Sequence, residues 1–338
     1  MTAASALQLP TVRRACITGG AGFIGSNLAD ALHARGAEIV VVDNFRTGRP
    51  DFLASLVGSP RFTLIEGDVL DPKVMARSLE GCDWVFHLQA NADVRDGLTH
   101  PTVDLRLNTI ATSHVLEAAR VAGVTRVVFS STGSVYGEPL LVPTPEDAPF
   151  PLQTSLYGAS KLAGEGLVAA YCEGFGFTGV ILRFVSILGE RYTHGHVRDF
   201  HRALRRDPSR LRVLGDGLQR KSYLYVQDCV SAMLLAVERH ARIAGAHVYN
   251  LGLRETVTVD ESVGIITEWL GVTPAIEHTG GPRGWIGDSP LIDLDTTKIR
   301  SLGWEPTLTI REAITRTLDW LDQTDRAAKP AARRRANV

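Results

Sequence analysis

The sequence predicts an α/β protein built on a doubly wound parallel sheet, with helices on both faces and a smaller C-terminal α/β lobe. Two observations support this fold class. Short β-branched runs alternate with helical stretches through the first half of the 338 residues, and such alternation produces βαβ units with parallel strands. The strand runs are also nearly continuous in apolar residues, as expected for strands covered by helices on both faces.

The elements of the first half can be identified in order. The predicted strands are RACIT, EIVVVD, FTLIEGD, DWVFHLQA, RVVFSS and TGVILRF. Helical stretches begin at FIGSN, PKVMA, NTIAT and YGASK, after the first, third, fourth and fifth of these strands. Beyond about residue 184 the alternation loosens, and one long apolar helix, VQDCVSAMLLAVERH, and one strand, HVYNLG, stand out.

This pattern predicts the domain organisation. The expected units are a main domain over 12–184 with returning elements at about 223–252, a smaller lobe from 185–222 and 253–325, and disordered tails at 1–11 and 326–338. The C-terminal tail is basic, and a solvated tail explains that charge more simply than a binding segment does.

Composition argues against several classes of function. The formal net charge is −1, with 36 basic and 37 acidic side chains, which disfavours a nucleic-acid or membrane-surface protein. No apolar run approaches the roughly 18 residues of a membrane span, and the first dozen residues are too weakly apolar for a signal peptide. We therefore expect a cytoplasmic protein without a membrane or nucleic-acid partner.

The metal-binding residue types give no cluster in the sequence. The four cysteines are scattered and are interpreted as reduced residues of a cytosolic core; they are Cys16, Cys82, Cys172 and Cys229. The nearest candidate for a metal site is HGH, at His194 and His196, which we interpret as part of a loop rather than as a zinc site. No metal is expected.

The segment ITGGAGFIG runs from the first strand into the first helix and carries a dinucleotide fingerprint. Gly19 allows a tight turn, Gly22 allows close approach of a pyrophosphate, and Gly25 lets the helix pack on the strand. The N–H groups at the start of that helix, including those of Phe23 and Ile24, are free to bind phosphate. The main domain is therefore predicted to be of the Rossmann type.

The end of the second strand predicts which dinucleotide binds. Asp43 ends VVVD, and a carboxylate there accepts hydrogen bonds from the adenosine ribose and repels a 2′-phosphate, so NAD is favoured. Arg46 and Arg49 follow and could instead serve NADP. Asp68, at the end of the third strand, could bind the adenine amine or could be an ordinary turn residue.

The segment YGASK places Tyr157 and Lys161 on one face of a helix. A tyrosine with its ordinary pKa near 10 is a poor base at neutral pH, but a nearby ammonium and a cationic nicotinamide ring favour the phenolate. An ordinary surface Tyr–Lys pair is the alternative. The preceding fingerprint and the hydroxyl-rich strand end SSTGSVYG favour catalysis.

The motifs TGGAGFIG, HLQA, SSTGSVYG, YGASK and LRFVSILG occur in this order, and together they resemble the extended short-chain dehydrogenase/reductases, in the nucleotide-sugar epimerase/dehydratase branch. The resemblance covers roughly residues 12–320. It implies a tightly bound, recycled NAD and a C-terminal lobe that holds a nucleoside diphosphate sugar. It also implies a homodimer formed through the helices near 103–122 and 156–175.

The resemblance implies further cofactor contacts. The expected cofactor-binding residues are Gly19, Gly22, Phe23, Ile24, Gly25, Asp43, Asn44, Arg46, Asp68, Val69, Leu88, Gln89, Ala90, Asn108, Ser130, Tyr157 and Lys161. Asn108 opens a predicted helix, so it could equally be an N-cap.

In SSTGSVYG, the resemblance places Thr132 at the catalytic Ser/Thr position, beside Tyr157. Related 4,6-dehydratases have an Asp–Glu pair after this threonine, and uronate decarboxylases have Glu at the Ser134 position. This chain has Gly133 and Ser134, both expected to face the sugar. The missing carboxylate favours simple epimerisation: Tyr157 takes the proton of the C4 hydroxyl, C4 passes hydride to NAD, and the 4-keto sugar is reduced on its other face.

Three residues indicate which sugar is bound. Ser186 stands where many hexose epimerases have Asn and where uronate 4-epimerases resembled here have Thr. Arg191 and Arg95 are two nearby candidates for a bidentate carboxylate contact, although Arg191 could simply stabilise its loop. We therefore expect conversion of UDP-glucuronate to UDP-galacturonate.

The diphosphate is expected in the second lobe. Lys221 stands where the family has a phosphate-binding Arg, and Arg220 beside it could take over that contact. Arg283 matches a second phosphate arginine and Asp288 a ribose ligand, with loop solvation as the alternative for both.

Other functions remain open at the sequence level. The alternatives are a UDP-glucose/UDP-galactose 4-epimerase, a UDP-glucuronate decarboxylase, and an NAD-binding sensor without catalysis. The presence of Thr132, Tyr157 and Lys161 together argues against the sensor.

Overall fold

A computed structural model describes residues 11–91, 93–150 and 152–328 of the chain. The strands are β1 (Arg14–Thr18), β2 (Glu38–Asp43), β3 (Phe62–Glu66), β4 (Trp84–His87), β5 (Arg126–Thr132), β6 (Thr178–Phe184), β7 (Ser186–Leu188), β8 (Arg210–Val213), β9 (Arg220–Lys221), β10 (Tyr223–Tyr225), β11 (Gly245–Leu251), β12 (Val257–Thr258), β13 (Ala275–His278) and β14 (Leu291–Ile292).

The helices pack around these strands. They are α1 (Phe23–Ala34), α2 (Pro72–Leu79), α3 (Asp96–Thr99), α4 (Ala111–Val121), α5 (Leu156–Phe175), α6 (His196–Arg206), α7 (Val226–His240), α8 (Val259–Leu270), α9 (Thr297–Arg300) and α10 (Ile310–Ala328). A π-helical turn, Leu105–Ile110, leads into α4, and 3-10 turns cover Pro50–Leu53 and Gly133–Tyr136.

Seven parallel strands form the central sheet, in the order β11-β6-β5-β4-β1-β2-β3. The order reverses between β1 and β4, which is where open α/β sheets bind their ligands, beyond the carboxyl ends of the strands. The predicted fold class is confirmed. The strand after α7, β11, returns to the edge of this sheet beside β6, as expected.

Alternate residues of the central strands point into two separate cores. Ile17 and Phe86 pack on one face with α1 and α7, whereas Cys16, Val85 and Phe129 pack on the other with α2, α4 and α5. Strands buried on both faces explain why their sequences read as continuous apolar runs.

The smaller lobe consists of short strands and amphipathic helices. The strand β9 lies between β12 and β14, and β8 pairs with β13. The helices α6, α8 and α10 pack on one another. Sequence reasoning identified one helix in this half, α7, and missed these three because each carries charges around a narrow apolar face, such as Val197, His201 and Leu204 of α6.

Both lobes share one apolar cluster. It extends from Ile17 and Leu28 of the Rossmann half to Val213, Ile266 and Ile314 of the smaller lobe. The two lobes are therefore packed around a common apolar interior.

The last helix extends further than the sequence predicts. The helix α10 continues to Ala328, so residues 326–328 are helical, which corrects the expected start of the C-terminal tail. Residues 1–10 and 329–338 lie outside the described part of the chain. No helix in that described part combines the length and hydrophobicity that crossing a bilayer requires.

Candidate active site

The glycine-rich turn between β1 and α1 has the shape that a dinucleotide requires. Gly19 has a φ of +70°, which favours glycine. A Cβ on Gly25 would lie 2.3 Å from the Gly19 carbonyl oxygen, so α1 packs directly on the turn. Because α1 begins at Phe23 after Gly22, its first N–H groups have no acceptor inside the helix and can bind phosphate. The turn therefore fits the pyrophosphate of NAD.

The Asp43 carboxylate joins the end of β2 to this turn. Its oxygens accept hydrogen bonds from the N–H groups of Ala21 and Phe45, both at 2.9 Å. Burial raises the pKa of Asp43, and the two backbone donors lower it against that effect. Each oxygen keeps a second lone pair, so the group can still accept a ribose hydroxyl.

The neighbouring candidates lie at the same sheet edge. Asn44 Nδ2 donates to Asp68 Oδ2 at 3.3 Å, which places both beyond β2 and β3, and Val69 follows in the buried turn. Arg46 Nη2 lies 3.6 Å from Asp96 Oδ2 at the start of α3. These are the residues that sequence reasoning expects at the adenosine end, and they lie close to one another in the structure.

The stretch after β4 closes the other side of the turn. Leu88, Gln89 and Ala90 follow β4, and a Cβ on Gly19 would lie 2.8 Å from the Gln89 backbone. The Ser130 hydroxyl donates to the His87 carbonyl at 3.2 Å. The ends of β1, β4 and β5 therefore meet at one point.

The structure excludes Asn108 as an N-cap. It lies inside the π-helical turn, where its Oδ1 accepts from Asn91 N at 2.8 Å and its Nδ2 donates to Ser160 Oγ at 2.8 Å. Ser160 Oγ in turn donates to the Tyr157 carbonyl at 2.8 Å. Asn108 thus connects the stretch after β4 to the helix that carries Tyr157 and Lys161.

The helix α5 brings the catalytic candidates to the end of β5. Ser155 caps it by accepting from Gly158 N at 3.0 Å. Lys161 is 2% exposed, and its Nζ donates to the Ser130 carbonyl at 2.8 Å. Burial lowers the pKa of Lys161 to about 7, although Glu165 and Asp104 raise it against that effect.

Tyr157 lies against Thr132. Burial, and to a smaller extent the charge of Asp104, raise the pKa of Tyr157 to about 12, and the hydrogen bond with Thr132 opposes this rise. In the protein alone the phenol is therefore protonated at neutral pH. A positive charge close to the phenol is what would make it a base.

Thr132 also organises the turn that follows β5. Its Oγ1 accepts from Ser134 N at 3.1 Å and donates to Ser134 Oγ at 3.2 Å. A Cβ on Gly158 would lie 2.8 Å from the Ser134 carbonyl oxygen, so α5 packs directly against this turn. Gly133 is buried beneath Leu294. The predicted catalytic residues are therefore brought together.

A buried ionic network, not found from the sequence, lies behind this site. Arg183 and Glu165 form a two-pronged ion pair, 2.7 Å at its shortest, and both side chains are buried. Ser131 donates to the same carboxylate, and Arg183 donates to the Tyr136 hydroxyl at 2.6 Å. The negative charge of Glu165, one turn beyond Lys161, is thus neutralised by Arg183.

A cavity of about 1070 Å³ lies between the Rossmann half and the smaller lobe. Four of the predicted sugar and nucleotide ligands line it: Arg95, Ser186, Lys221 and Asp288. Its described lining does not include Thr132, Gly133, Ser134 or Tyr157, so strand register is what relates the cavity to the catalytic residues. Thr132 pairs with Phe184 across β5 and β6, and Ser186 comes two residues later, so both hydroxyls lie at the carboxyl edge of the sheet.

Lys221 and Asp288 form an ion pair at 2.5 Å in the wall of the cavity. Asp288 also accepts from Gly284 N at 3.0 Å through its other oxygen, and Lys221 Nζ lies 4.9 Å from the ring centre of Trp285. Both charges are therefore already paired, and a diphosphate would compete with Asp288 for the ammonium.

The structure gives Arg191 a partner within the protein. Arg191 has a φ of +70°, and its Nη2 donates to Asp30 of α1 at 2.6 Å. It does not belong to the cavity lining that the described residues form. The guanidinium fixes its loop to α1, which was the alternative interpretation.

The two other arginines predicted to bind the substrate, Arg220 and Arg283, also have partners within the protein. Arg220 donates to the Thr256 carbonyl at 3.2 Å, outside the cavity wall, because neighbouring strand residues point to opposite faces and Lys221 takes the inner one. Arg283 pairs with Glu138 and donates to the Asp288 carbonyl at 3.2 Å. Arg283 is not among the residues that line the described cavity.

Sequence reasoning missed several cavity residues. Among them are His196, Gln219, Tyr223 and Trp285. His196 Nε2 lies 2.7 Å from Ser262 Oγ, and burial lowers its pKa to about 3, so this histidine is neutral. Strand alternation in the sequence could have identified two of these residues, because it places Gln219 and Tyr223 on the same side of the segment as Lys221.

The Rossmann half, the glycine turn, and the Thr132, Tyr157 and Lys161 group define a nucleotide-dependent enzyme of the short-chain dehydrogenase/reductase type. Residues 15–252 match the model of the NAD dependent epimerase/dehydratase family. The chain belongs to this family, and NAD is its cofactor.

Similar proteins agree with this assignment. A putative UDP-glucose 4-epimerase of Methanocaldococcus jannaschii is 31% identical over 320 residues, which cover 92% of this chain and 99% of the relative. A crystal structure of a UDP-galactose 4-epimerase is 40% identical, with a TM-score of 0.83, and covers 92% of this chain and 99% of its own. MoeE5 in complex with UDP-glucuronic acid and NAD is 32% identical, with a TM-score of 0.81 and the same coverage.

Proposed function

We propose that the protein is an NAD-dependent 4-epimerase of a UDP-sugar and that it interconverts UDP-glucuronate and UDP-galacturonate. The observation that carries the proposal is the Thr132, Tyr157 and Lys161 group at the sheet edge, with the hydroxyl of Ser134 where a carboxylate would be needed for elimination. The relatives named as 4-epimerases support the reaction class.

The residues of the chain would divide the chemistry among them. Tyr157 accepts the proton of the C4 hydroxyl, and Thr132 hydrogen-bonds O4 as negative charge develops there. Lys161 supplies the positive charge that makes the phenol a base. Bound NAD would take the C4 hydride and return it to the opposite face, so that no net oxidation occurs.

The cavity supports a uronate as the sugar. With Arg191 held by Asp30, Arg95 is the remaining one of the two candidate guanidiniums, and it lines the cavity together with Ser186. Arg95 Nε donates to Asp93 Oδ1 at 3.1 Å, so a sugar carboxylate would have to replace an exposed surface ion pair. Such a pair is worth about 1 kcal/mol or less, and the exchange is therefore inexpensive.

The binding of a uronate poses a chemical problem that the site has to solve. Oxidation at C4 of glucuronate gives a β-keto acid, which loses carbon dioxide readily. A guanidinium that holds the carboxylate in two places keeps its C–C bond out of alignment with the ketone. The neutral turn at Ser134 also offers no acid to assist that loss.

Two other substrates or reactions remain alternatives. A UDP-glucose/UDP-galactose 4-epimerase is supported by the names of the relatives, and a UDP-glucuronate decarboxylase would share the same cavity. A sensor without catalysis is disfavoured because Tyr157 and Lys161 are both in place beside Thr132.

We also propose a homodimer built on α4 and α5, in the cytoplasm. These neighbouring helices begin beside Leu105, Ile110 and Leu156, which are 52%, 41% and 47% exposed, and an apolar strip of this kind suits burial against a second copy. The four cysteines are free thiols, which suits a reducing compartment.

A proton NMR time course of the purified protein tests the proposal. The protein is incubated separately with UDP-glucuronate and UDP-glucose, without added NAD. Conversion of the glucuronate to its 4-epimer, with little change in UDP-glucose, is expected. Conversion of UDP-glucose alone would reject the uronate assignment, and a pentose product would reject simple epimerisation.

A further inference from the structure

Asp104 carries a buried carboxyl group and lies near the catalytic residues. The proposed reaction gives this carboxyl group no role. It is 1% exposed and lies just before the π-helical turn. Its Oδ1 accepts from Asn91 Nδ2 at 3.0 Å and from Asn108 Nδ2 at 3.3 Å. Its Oδ2 is buried and has no hydrogen-bond partner among the described residues.

Among the residues that the structure describes, Asp104 has no cation in contact with its carboxylate. No ion pair to its carboxylate is formed within the described ranges. A Cβ on Gly97 would lie 2.7 Å from Oδ2, so the backbone of α3 covers that oxygen. A buried charge without a contacting partner is costly, and its retention calls for a compensating charge at longer range.

The group that offers such compensation is the Lys161 ammonium. Lys161 is buried with one hydrogen bond, to Ser130. The other carboxylate near it, Glu165, is already neutralised by Arg183. Of the two carboxylates that act on Lys161, Asp104 is therefore the one whose negative charge is not neutralised by an ion pair among the described residues.

Hydrogen bonds also connect Asp104 to the catalytic helix. Asn108 Nδ2 is shared between Asp104 and Ser160, and Ser160 donates to the Tyr157 carbonyl. Asp104 also accepts a hydrogen bond from Asn91, which follows β4. The carboxylate therefore holds Asn91 on one side and, through Asn108, the helix α5 on the other.

We propose that Asp104 is a positioning residue of the reaction, whose carboxylate compensates the buried ammonium of Lys161 and, through Asn108 and Ser160, holds the first turn of α5 that carries Tyr157. This inference rests on the proposed catalytic roles of Tyr157 and Lys161. Asp104 is not among the described residues that line the cavity.

The negative charge of Asp104 shifts the pKa values of the two catalytic residues in one direction. The charge of Asp104 raises the pKa of both Lys161 and Tyr157. Burial raises the pKa of Asp104 itself, and so do Asp93 and Asp96 on the preceding segment, while Asn91 and Asn108 lower it. Removal of this charge should move the titration of Lys161 and that of Tyr157 in the same direction, to lower pH.

The first experiment measures the titration of Lys161 without any sugar substrate. The full-length protein and Asp104→Asn are labelled with ε-13C-lysine, and NMR follows the Cε signal of buried Lys161 between pH 5 and 10, relative to that of exposed Lys73. We expect an apparent pKa of about 7 in the parent protein and a value about one pH unit lower in Asp104→Asn. An unchanged or higher value would overturn the proposal, and unfolding would give a value near 10.

The second experiment uses whichever UDP-sugar the NMR assay shows to be turned over. In Asp104→Asn the pH profile of kcat should move as a whole to lower pH, and kcat at its optimum should fall about tenfold while KM for the sugar stays within about twofold. A lower kcat with an unmoved profile would mean a purely structural role and would overturn the electrostatic claim.

A matched control removes one carboxylate from the same catalytic helix. Glu173 is exposed and lies twelve residues beyond Lys161, about 18 Å along α5. Glu173→Gln should change neither the Lys161 titration nor the pH profile. If no UDP-sugar is turned over, the proposed function fails, but the labelling experiment still decides the role of Asp104.

Discussion

Lys161 Nζ donates to the carbonyl oxygen of Ser130 at 2.8 Å, and it lies 4.9 Å from the ring centre of Phe129; these two contacts anchor a buried ammonium at the end of β5. Burial lowers the pKa of Lys161 to about 7. The site therefore holds its catalytic cation at a cost in stability, a common consequence of arranging charge for reaction.

Replacement of Lys161 by Met should abolish turnover and stabilise the fold. Lys161 binds its proton more weakly in the folded chain than in the unfolded chain, whose lysine pKa is near 10.4. The resulting penalty is complete below about pH 7 and disappears as pH approaches 10.4. We expect Lys161→Met to gain about 3–5 kcal/mol at pH 6 and less at pH 9, measured by urea unfolding at both values.

The exposed Lys73 provides the comparison, since Lys73→Met removes a solvated charge. This variant should change stability by about 0.5 kcal/mol or less at either pH. A Lys161→Met protein that unfolds more easily than its parent at pH 6 would show that the ammonium stabilises the fold.

Arg95 and Arg191 should have separable roles. Arg95→Ala is expected to raise KM for UDP-glucuronate about tenfold or more, and KM for UDP-glucose far less, because the guanidinium lies in the cavity wall. Arg191→Ala removes a contact to Asp30 and should cost about 1 kcal/mol of stability without a change in sugar preference. Steady-state kinetics with both sugars would reject this division if the two effects were reversed.

Gly158 should be essential to the position of Tyr157. A Cβ there would lie 2.8 Å from both Ser134 O and Gln153 Oε1, so Gly158→Ala must push α5 away from the Ser134 turn. We expect a loss of kcat of about tenfold to a hundredfold and a stability cost of about 1–3 kcal/mol. Steady-state kinetics measures the loss of kcat, and thermal unfolding measures the stability cost.

The same helix contains a control for that substitution. A Cβ on Gly166 would meet nothing within 4 Å. Gly166→Ala should therefore keep full activity and gain about 0.5–1 kcal/mol from helix propensity. Equal losses in the two variants would contradict the close-packing explanation.

His201 is a buried histidine of the smaller lobe, and we expect its imidazole ring to destabilise the fold. It is 0% exposed, and neither ring nitrogen has a hydrogen-bond partner in the part of the chain that the structure describes. His201→Leu should stabilise the protein by about 1–2 kcal/mol at pH 7.5. Burial also lowers the pKa of His201, so stability falls as the pH drops below about 6.5, where the unfolded chain takes up the proton.

The gain in His201→Leu should therefore be larger at pH 5.5 than at pH 7.5, as measured by denaturant unfolding. A gain that is equal at the two pH values would show that the ring is not held neutral by its surroundings. A loss at both would show that the imidazole nitrogens find partners.

Strands and catalytic residues could be predicted from the sequence because their signals are local. An apolar run identifies a doubly buried strand, and the spacing of Tyr157 and Lys161 puts both on one helical face. The start of α8, which sequence reasoning missed, carries a local signal as well, since Thr258 and Glu261 form a capping box within four residues.

Long-range charge pairing could not be predicted in this way. Arg191 and Asp30 are 161 residues apart, and nothing in either local segment indicates the other. Likewise, Asp104 looks like an ordinary helix-start aspartate, and its lack of a contacting cation is visible once the fold surrounds it.

The apolar cluster shared by the two lobes limits how this architecture can be altered. Because Ile17 and Ile314 belong to one contiguous core, a chimera that grafted the smaller lobe of a relative onto this Rossmann half would join mismatched halves of a single packed interior. New sugar preferences are more accessible through single substitutions in the cavity wall, such as at Ser186 or Arg95, than through exchange of whole modules.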